Sequence, residues 1–548
     1  MIVRSCLRAQ GPRIALRRRI PVRTRPVQCA RKYSTANAPS MSSSTPQFQA
    51  SMLATITTDL DKIAPRFEVQ PDQIEILKTP SEFYETLKDK ISKAQSRIYL
   101  STLYMGKTEH ELIATIRTAL LANPNLRISF LTDALRGTRE SPNASCASLL
   151  APLIAEFGSR VQVRMFHTPN LTGLRKKVIP NRINEGWGLQ HMKLYGVDDE
   201  VIMSGANLSG DYFTNRQDRY HLLKDARLAE YFSKIHAGVA ALSFDIQPAA
   251  TQAGYTMSWP SSNAAPSPLV SPPAFRKAAA AHLAPLLTPS NSPAPIAGPT
   301  TTTIYPILSL VPLLPDDTST ELPALTTILS SLARAPLRGS TWTFTAGYFN
   351  MTPSFRRLLL STQPRSGTVL TAHPFANGFY GSKGVSGMLP DAYTHLSKMF
   401  LRKVRYEGLD EAIALKEWRR GKVGDEDGWT YHAKGLWVSF PSPSSSPSAA
   451  SSAPRSGDVA EMPQQEDPSL TVVGSSNYTK RSYELDLEAN VVIATSDPGL
   501  RRRLGDEVKW LAEYASRVDE TEFEKPERRV GVSVRLSMWL VKVLGGAL

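Results

Sequence analysis

The chain passes twice through the same succession of elements, and this repetition narrows the folds open to it more than its composition does. In the first pass a strand-like run RIYLSTLYMG (97–106) leads to a helical run (109–122), a strand RISFLTDALRG (127–137), a second helical run, a strand VQVRMF (161–166) and then His191. In the second, WTFTAGYFN (342–350) leads to a helical run, a strand TVLTAHP (368–374), another helical run, a strand KVRYEG (403–408) and then His432. From Arg97 to His191 is 94 positions and from Trp342 to His432 is 90, so both the order of elements and the distance to the histidine recur. Alternating strands and helices predict parallel sheets covered by helices, with motif residues at strand ends or in the loops after them. The expected fold class is α/β, with two similar sandwich halves related by a pseudo-twofold axis and a site at their interface, where His191 and His432 face each other.

Length and composition set the boundaries of this scheme. A chain of 548 residues, 41% of them hydrophobic, supports two ordinary cores. Residues 246–303 are rich in Pro, Ala, Ser and Thr, a composition expected to form a linker or surface excursion. A similar stretch at 441–469 predicts a disordered insertion. The halves are thereby placed at 50–245 and 304–528.

The net charge of +15 is unevenly placed. Residues 1–33 hold nine Arg and one Lys, and the first acidic residue is Asp59, so the remainder carries only +5. An Arg-rich, acid-free arm with short apolar interruptions predicts a mitochondrial transit peptide. A basic arm can also contact nucleic acid, but Arg31-Lys32-Tyr33-Ser34 resembles a matrix-protease cleavage site and stands where the Arg-rich composition stops. Cys6 and Cys29 fall within that arm, which leaves Cys146 alone and rules out an intrachain disulfide or a Cys-based zinc site in the mature chain. The tail, 529–548, is apolar but interrupted by Arg535 and Lys542. It fits a membrane-surface segment or a terminal element packed on the domain.

The chemistry is carried by HMKLYGVD (191–198) and YHAK (431–434). Residues i and i+2 of a strand share a face, so His191 pairs with Lys193 and His432 with Lys434. Each pair precedes a small-residue turn ending in Asn, at Asn207 and Asn477. Two imidazoles and two ammonium groups converging on one pocket suit a phosphate diester. The lysines and asparagines would hold its oxygens while one imidazole attacks phosphorus and the other protonates the leaving group. A metal is not expected, because a lysine beside each histidine repels cations.

HMKLYGVD resembles the His-x-Lys-x4-Asp signature of the phospholipase D superfamily, and SGAN its following turn. Over roughly 50–245 and 305–525, the stretches HMKLYGVDDEVIMSGANLSGDYFTNRQDRY, ANGFYGSKG, HAKGLWVSF and GSSNYTKRSYELDLEAN more closely resemble the eukaryotic mitochondrial phosphatidylglycerophosphate synthases. That resemblance implies two phospholipase D-like halves and transfer of a phosphatidyl group from CDP-diacylglycerol to glycerol 3-phosphate, releasing CMP, without cofactor or metal. It further implies a peripheral position on the mitochondrial inner membrane, on the matrix side. His191, Lys193, Asp198, His432 and Lys434 become the expected catalytic set, with His191 as nucleophile. Asn207, Asn477, Glu488, Arg216 and Lys480 become substrate-binding candidates. Ser439 stands where the second motif would carry its Asp, and Glu484 or Glu488 is expected to replace that carboxylate. The alternatives are a phospholipid hydrolase, a nucleic-acid phosphodiesterase disfavoured by the modest mature charge, and a non-catalytic lipid-binding relative.

Overall fold

The computed structural model describes residues 45–179, 183–289, 301–441 and 466–543. The expected transit peptide (1–33) lies outside them, as do 290–300 of the seam and 442–465 of the second Pro/Ser-rich stretch.

Two nine-stranded mixed sheets form the frame. The first runs, edge to edge, β11 (Tyr255–Ser258), β10 (Phe244–Pro248), β5 (Val161–Phe166), β4 (Arg127–Asp133), β3 (Arg97–Ser101), β6 (Leu194–Val197), β7 (Glu200–Ser204), β9 (Tyr220–Leu223) and β2 (Ile74–Leu77). The second runs β20 (Ala515–Val518), β15 (Ile413–Trp418), β14 (Ser366–Ala372), β13 (Thr341–Ala346), β17 (Lys434–Ser439), β18 (Leu470–Gly474), β19 (Glu488–Thr495), β12 (Thr302–Ser309) and β1 (Phe67–Val69). In each, three parallel strands are followed across the sheet by antiparallel ones, so β3, β4 and β5 correspond to β13, β14 and β15, while β6, β7 and β9 correspond to β17, β18 and β19. The duplication expected from the sequence is thus visible in strand order and sense. The sheets are mixed rather than parallel because the strand that leads out of each His-x-Lys, β6 or β17, runs antiparallel to β3 or β13.

Three expectations are corrected. The seam is largely ordered: β10 and β11 pair antiparallel, and Pro272–Leu287 is a helix with Pro at its start that buries Phe275, Ala279, Leu283 and Leu287. Those four residues recur at intervals of four, one helical face, which compensates for the proline content. KVRYEG is not a strand but the end of the helix Leu389–Tyr406; Phe400 and Val404 continue its buried face, and Gly408 at φ +68° follows it in the left-handed conformation. The strand at that place in the order is β15. Finally, the start of the first half belongs to the second sheet: β1 pairs with β12, and the helix Thr45–Leu60 buries Ile56 and Leu60 in one core with Leu325 and Ile328.

The seam helix carries a stability prediction. Leu283→Ala removes a fully buried side chain from the core cluster that holds Phe232 and Val239 of the first half and Leu308 and Val491 of the second, and should cost about 2–5 kcal/mol in urea unfolding; a cost near zero would contradict an integral role for the seam.

Candidate active site

Beside the motif histidines, four backbone hydrogen bonds between the halves form two like pairs. His191 N donates to Leu487 O (2.9 Å), and Leu487 N donates to Leu189 O (2.8 Å). In the other pair, His432 N donates to Gln217 O (2.8 Å) and Thr430 N to Asn215 O (2.9 Å), within the two-stranded ribbon of β8 (Arg216–Gln217) and β16 (Thr430–Tyr431). Each histidine is therefore fixed on the residue immediately before an acidic side chain of the other half.

Those acids complete the pairs. His191 Nδ1 lies 2.9 and 3.0 Å from the two oxygens of Glu488, and His432 Nδ1 lies 2.6 Å from Asp218 Oδ2. With each Nδ1 donated to a carboxylate, each Nε2 is left for chemistry. Lys193 and Lys434 are buried beside them and donate to the carbonyls of their own motif histidines, at 2.6 and 2.8 Å. Lys434 Nζ also lies 3.1 Å from Asp218 Oδ2 and 2.7 Å from His432 Nδ1. Gly205 makes this approach possible, because a Cβ there would meet Lys434 Nζ at 2.4 Å.

Burial, reinforced by Lys193, holds the His191 imidazolium well below its ordinary range; burial, reinforced by Lys434, does the same for His432. Burial lowers both lysines as well. The two acids differ. Burial raises Glu488 to about 7 against the opposing pull of Lys193, whereas Lys434 and His432 outweigh burial at Asp218 and keep it below the usual carboxylate range.

Asp198 is not part of this arrangement. Its carboxylate accepts from the backbone amides of Gln95, Ser96 and Arg97 and from Ser96 Oγ, pinning the start of β3. Six residues, 192–197, separate it from His191, a span of roughly 20 Å in extended chain. The catalytic role expected of Asp198 is replaced by a structural one, and Ser439 takes its place in the second half by donating to Glu466 O (2.6 Å). Glu488 serves His191 rather than the second motif, and Glu484 is an exposed partner of Lys480. Lys480 is itself 45% exposed, with only that pair at 3.6 Å.

Asn207 and Asn477 are brought in, each with a buried Oδ1 lacking a partner among the described residues. Arg216 is also present, bonded to Asp211 (2.7 Å) and Thr430 Oγ1 (3.0 Å) and stacked over Tyr212. Its counterpart in the other half is the pair Arg481 and Asp486 (3.1 Å), with Asp486 accepting from Leu189 N. The two ion pairs occupy the same offsets from Asn207 and Asn477 with their charges exchanged, and each grips the residue two before the other half's histidine.

Sequence reasoning missed Asp218, although its signal was present: Asn207 to Asp218 and Asn477 to Glu488 are equal intervals. It also missed Tyr212 and Tyr348, whose rings meet His432 edge-on at 5.1 Å each. Tyr212 OH stands 3.3 Å from His432 Nε2. Among the described residues no group of three or more His, Cys, Asp or Glu side chains is disposed to hold a metal ion.

Arg219, three residues beyond Arg216, is fully buried. It makes two bonds to Glu507 (2.9 and 2.8 Å), which also receives His221 Nε2 and Trp437 Nε1, each at 2.8 Å. This knot joins the halves one residue from Asp218. Burial alone would raise the Glu507 carboxyl, but Arg219 and His221 outweigh it and hold it below its usual range. Its contribution to stability is therefore complete above the unfolded carboxylate value of about 4.3 and declines as pH falls toward the folded one. Glu507→Ala should cost about 3–5 kcal/mol in urea at neutral pH, with a smaller difference from wild type under acid conditions; a loss below about 1 kcal/mol would show that Arg219 finds other compensation.

No protein-family model matches the chain. Curated proteins do. It is 45% identical over 504 residues to the CDP-diacylglycerol–glycerol-3-phosphate 3-phosphatidyltransferase of Saccharomyces pastorianus, covering 91% of this chain and 93% of the relative. It is 34% identical over 512 residues to the mitochondrial human enzyme of that name, covering 88% and 84%. Among solved structures, a phosphatidylserine synthase from Haemophilus influenzae matches with TM-score 0.65 at 18% identity, over 89% of this chain and 97% of that one, a likeness of fold. A near full-length match at these identities, on two α/β halves that bring paired His-x-Lys motifs together, places the chain in the family of CDP-diacylglycerol–glycerol-3-phosphate 3-phosphatidyltransferases.

Proposed function

We propose that this chain transfers the phosphatidyl group of CDP-diacylglycerol to glycerol 3-phosphate, as its relatives are named for doing, by two displacements at the paired histidines. The observation that supports this most is the crossed pairing of His191 with Glu488 and His432 with Asp218.

In the first displacement His191 Nε2 attacks the phosphatidyl phosphorus, the bond from phosphorus to the CMP oxygen breaks, and His432, which takes up a solvent proton at Nε2 when the anionic substrate binds, gives that proton to the departing oxygen. In the second, His432 takes the proton of a glycerol hydroxyl, the resulting oxygen attacks phosphorus, and the bond to His191 breaks. Lys193, Lys434, Asn207 and Asn477 stabilise the charge on the non-bridging oxygens. Leaving CMP and entering glycerol 3-phosphate share the His432 side, where Arg216 supplies a cation for their phosphates.

The protein works at the surface of the mitochondrial inner membrane, on the matrix side. The mitochondrial names of the cattle and human relatives and the Arg-rich arm support the organelle. No helix among the described residues is long and apolar enough to cross a membrane, which is compatible with a peripheral position.

With labelled glycerol 3-phosphate and CDP-diacylglycerol in micelles, wild type should yield labelled phosphatidylglycerophosphate. His191→Ala and His432→Ala should each lose about a thousandfold or more, and Asp198→Asn far less. CMP release without labelled lipid would make water the acceptor and the protein a hydrolase.

A second prediction concerns protons. Both histidines are neutral in the free site near pH 7, and an anionic phosphate beside them raises their affinity for protons. Binding of CMP should take up protons at that pH, seen as a calorimetric enthalpy that varies with the ionisation enthalpy of the buffer. Proton release would contradict the neutral resting site.

A further inference from the structure

Two short elements expose apolar side chains without a partner among the described residues. The helix Gly173–Val178 is exposed along its whole length, with Leu174 and Val178 one turn apart at 76% and 69% exposure, and Ile183 follows at 53%. The helix Val532–Val543 shows Val532, Leu536 and Trp539 at 80%, 54% and 57%, the i, i+4, i+7 spacing of a single face, and buries Val534 on another. These two helices, with Ile183, hold six of the twelve large hydrophobic side chains exposed among the described residues. Such concentration marks an interaction surface rather than scattered exposure.

Their charge indicates what covers them. Arg175, Lys176 and Lys177 lie on the first element, and no acidic residue occurs between Glu156 and Glu185. Arg529 precedes the second and Arg535 lies within it, and no acidic residue follows Glu527. Apolar faces on segments that carry cations and no acids complement an anionic lipid surface.

Each element is linked to the site through intervening side chains, from opposite halves. The chain from the first runs to Leu189, which packs with Leu135 and Leu171 two residues before His191, and the charge of Arg481 acts on both Glu185 and His191. The second packs on the helix Leu389–Tyr406, whose Tyr393 stacks with Tyr348 at 5.8 Å, and Tyr348 meets the His432 ring.

We propose that the helices Gly173–Val178 and Val532–Val543 are two feet that seat the protein on an anionic phospholipid bilayer, one from each half. The acyl chains of a lipid substrate then stay in the bilayer while its diphosphate reaches the site, a consequence that rests on the function proposed above. The contact itself rests only on exposure, spacing and charge.

The test uses the full-length protein and sedimentation with vesicles of phosphatidylcholine alone or of equimolar phosphatidylcholine and phosphatidylglycerol. Wild type should pellet with the anionic vesicles. Leu174→Glu with Val178→Glu, and Leu536→Glu with Trp539→Glu, should each reduce partitioning by about tenfold or more. Transfer from a short-chain, monomerically dispersed CDP-diacylglycerol should be unchanged in both. Vesicle binding equal to wild type in either double variant overturns the proposal, as does wild type that ignores anionic vesicles. So do variants that lose self-association in the ultracentrifuge while binding vesicles normally, which would make these faces contacts between copies. Should wild type transfer nothing while the variants still lose vesicle binding, the proposed function falls and the membrane contact stands.

Discussion

Each histidine of this site is held at Nδ1 by a carboxylate of the other half, and much of the interface exists to keep that exchange in place. A buried imidazole without a fixed partner can rotate or change tautomer. Here Glu488 and Asp218 settle both orientation and tautomer. The residues before those acids accept the histidine amides, and the residue two before each acid, Asp486 or Arg216, binds the position two before the opposite histidine. The Arg219–Glu507 knot then fixes the backbone adjoining Asp218. Neither half contains a complete histidine–carboxylate pair on its own, so formation of the site and docking of the halves are a single event.

The same burial sets the electrostatics. Lys193 and Lys434 keep protons off two buried histidines, while Asp218, Glu488 and Asp486 pull the other way; what would draw a proton onto either histidine is further negative charge. A phosphate diester supplies it. The two acids are not equivalent, since Asp218 sits against Lys434 and stays ionised while Glu488 is raised to about 7. That difference follows from Lys434 Nζ reaching Asp218 directly, whereas Lys193 Nζ turns to the carbonyl of His191. A duplicated fold has in this way acquired two histidines with distinct surroundings, as expected if one bonds to phosphorus and the other moves protons.

Much of this was legible in the sequence wherever a signal repeats. The paired His-x-Lys motifs and the two asparagine turns recur and are legible, as is the strand order apart from the third strand of the second half, which is Ile413–Trp418 and not KVRYEG. What was misread depended on contacts that a linear pattern does not contain. Asp198 has a motif position but folds back on residues 95–97, and the exchange of Glu488 and Asp218 between halves becomes visible only when the sheets are docked. KVRYEG alternates like a strand, yet Phe400 and Val404 keep it on a helix. The seam looked incapable of order by composition, because four residues spaced at intervals of four were hidden among prolines and alanines. Asp218 alone was within reach, through its equal spacing to Glu488.

The exchange is tested most directly with a phosphatidyl ester of p-nitrophenol, whose departure needs no acid and whose release reports formation of the bond to His191. Measured by stopped flow, Asp218→Asn should keep a rapid burst of p-nitrophenolate equal to the enzyme concentration, while Glu488→Gln should slow it by about two to four orders of magnitude. A burst that survives in Glu488→Gln and is lost in Asp218→Asn would contradict the account, because the nucleophile would then depend on the carboxylate assigned to its partner.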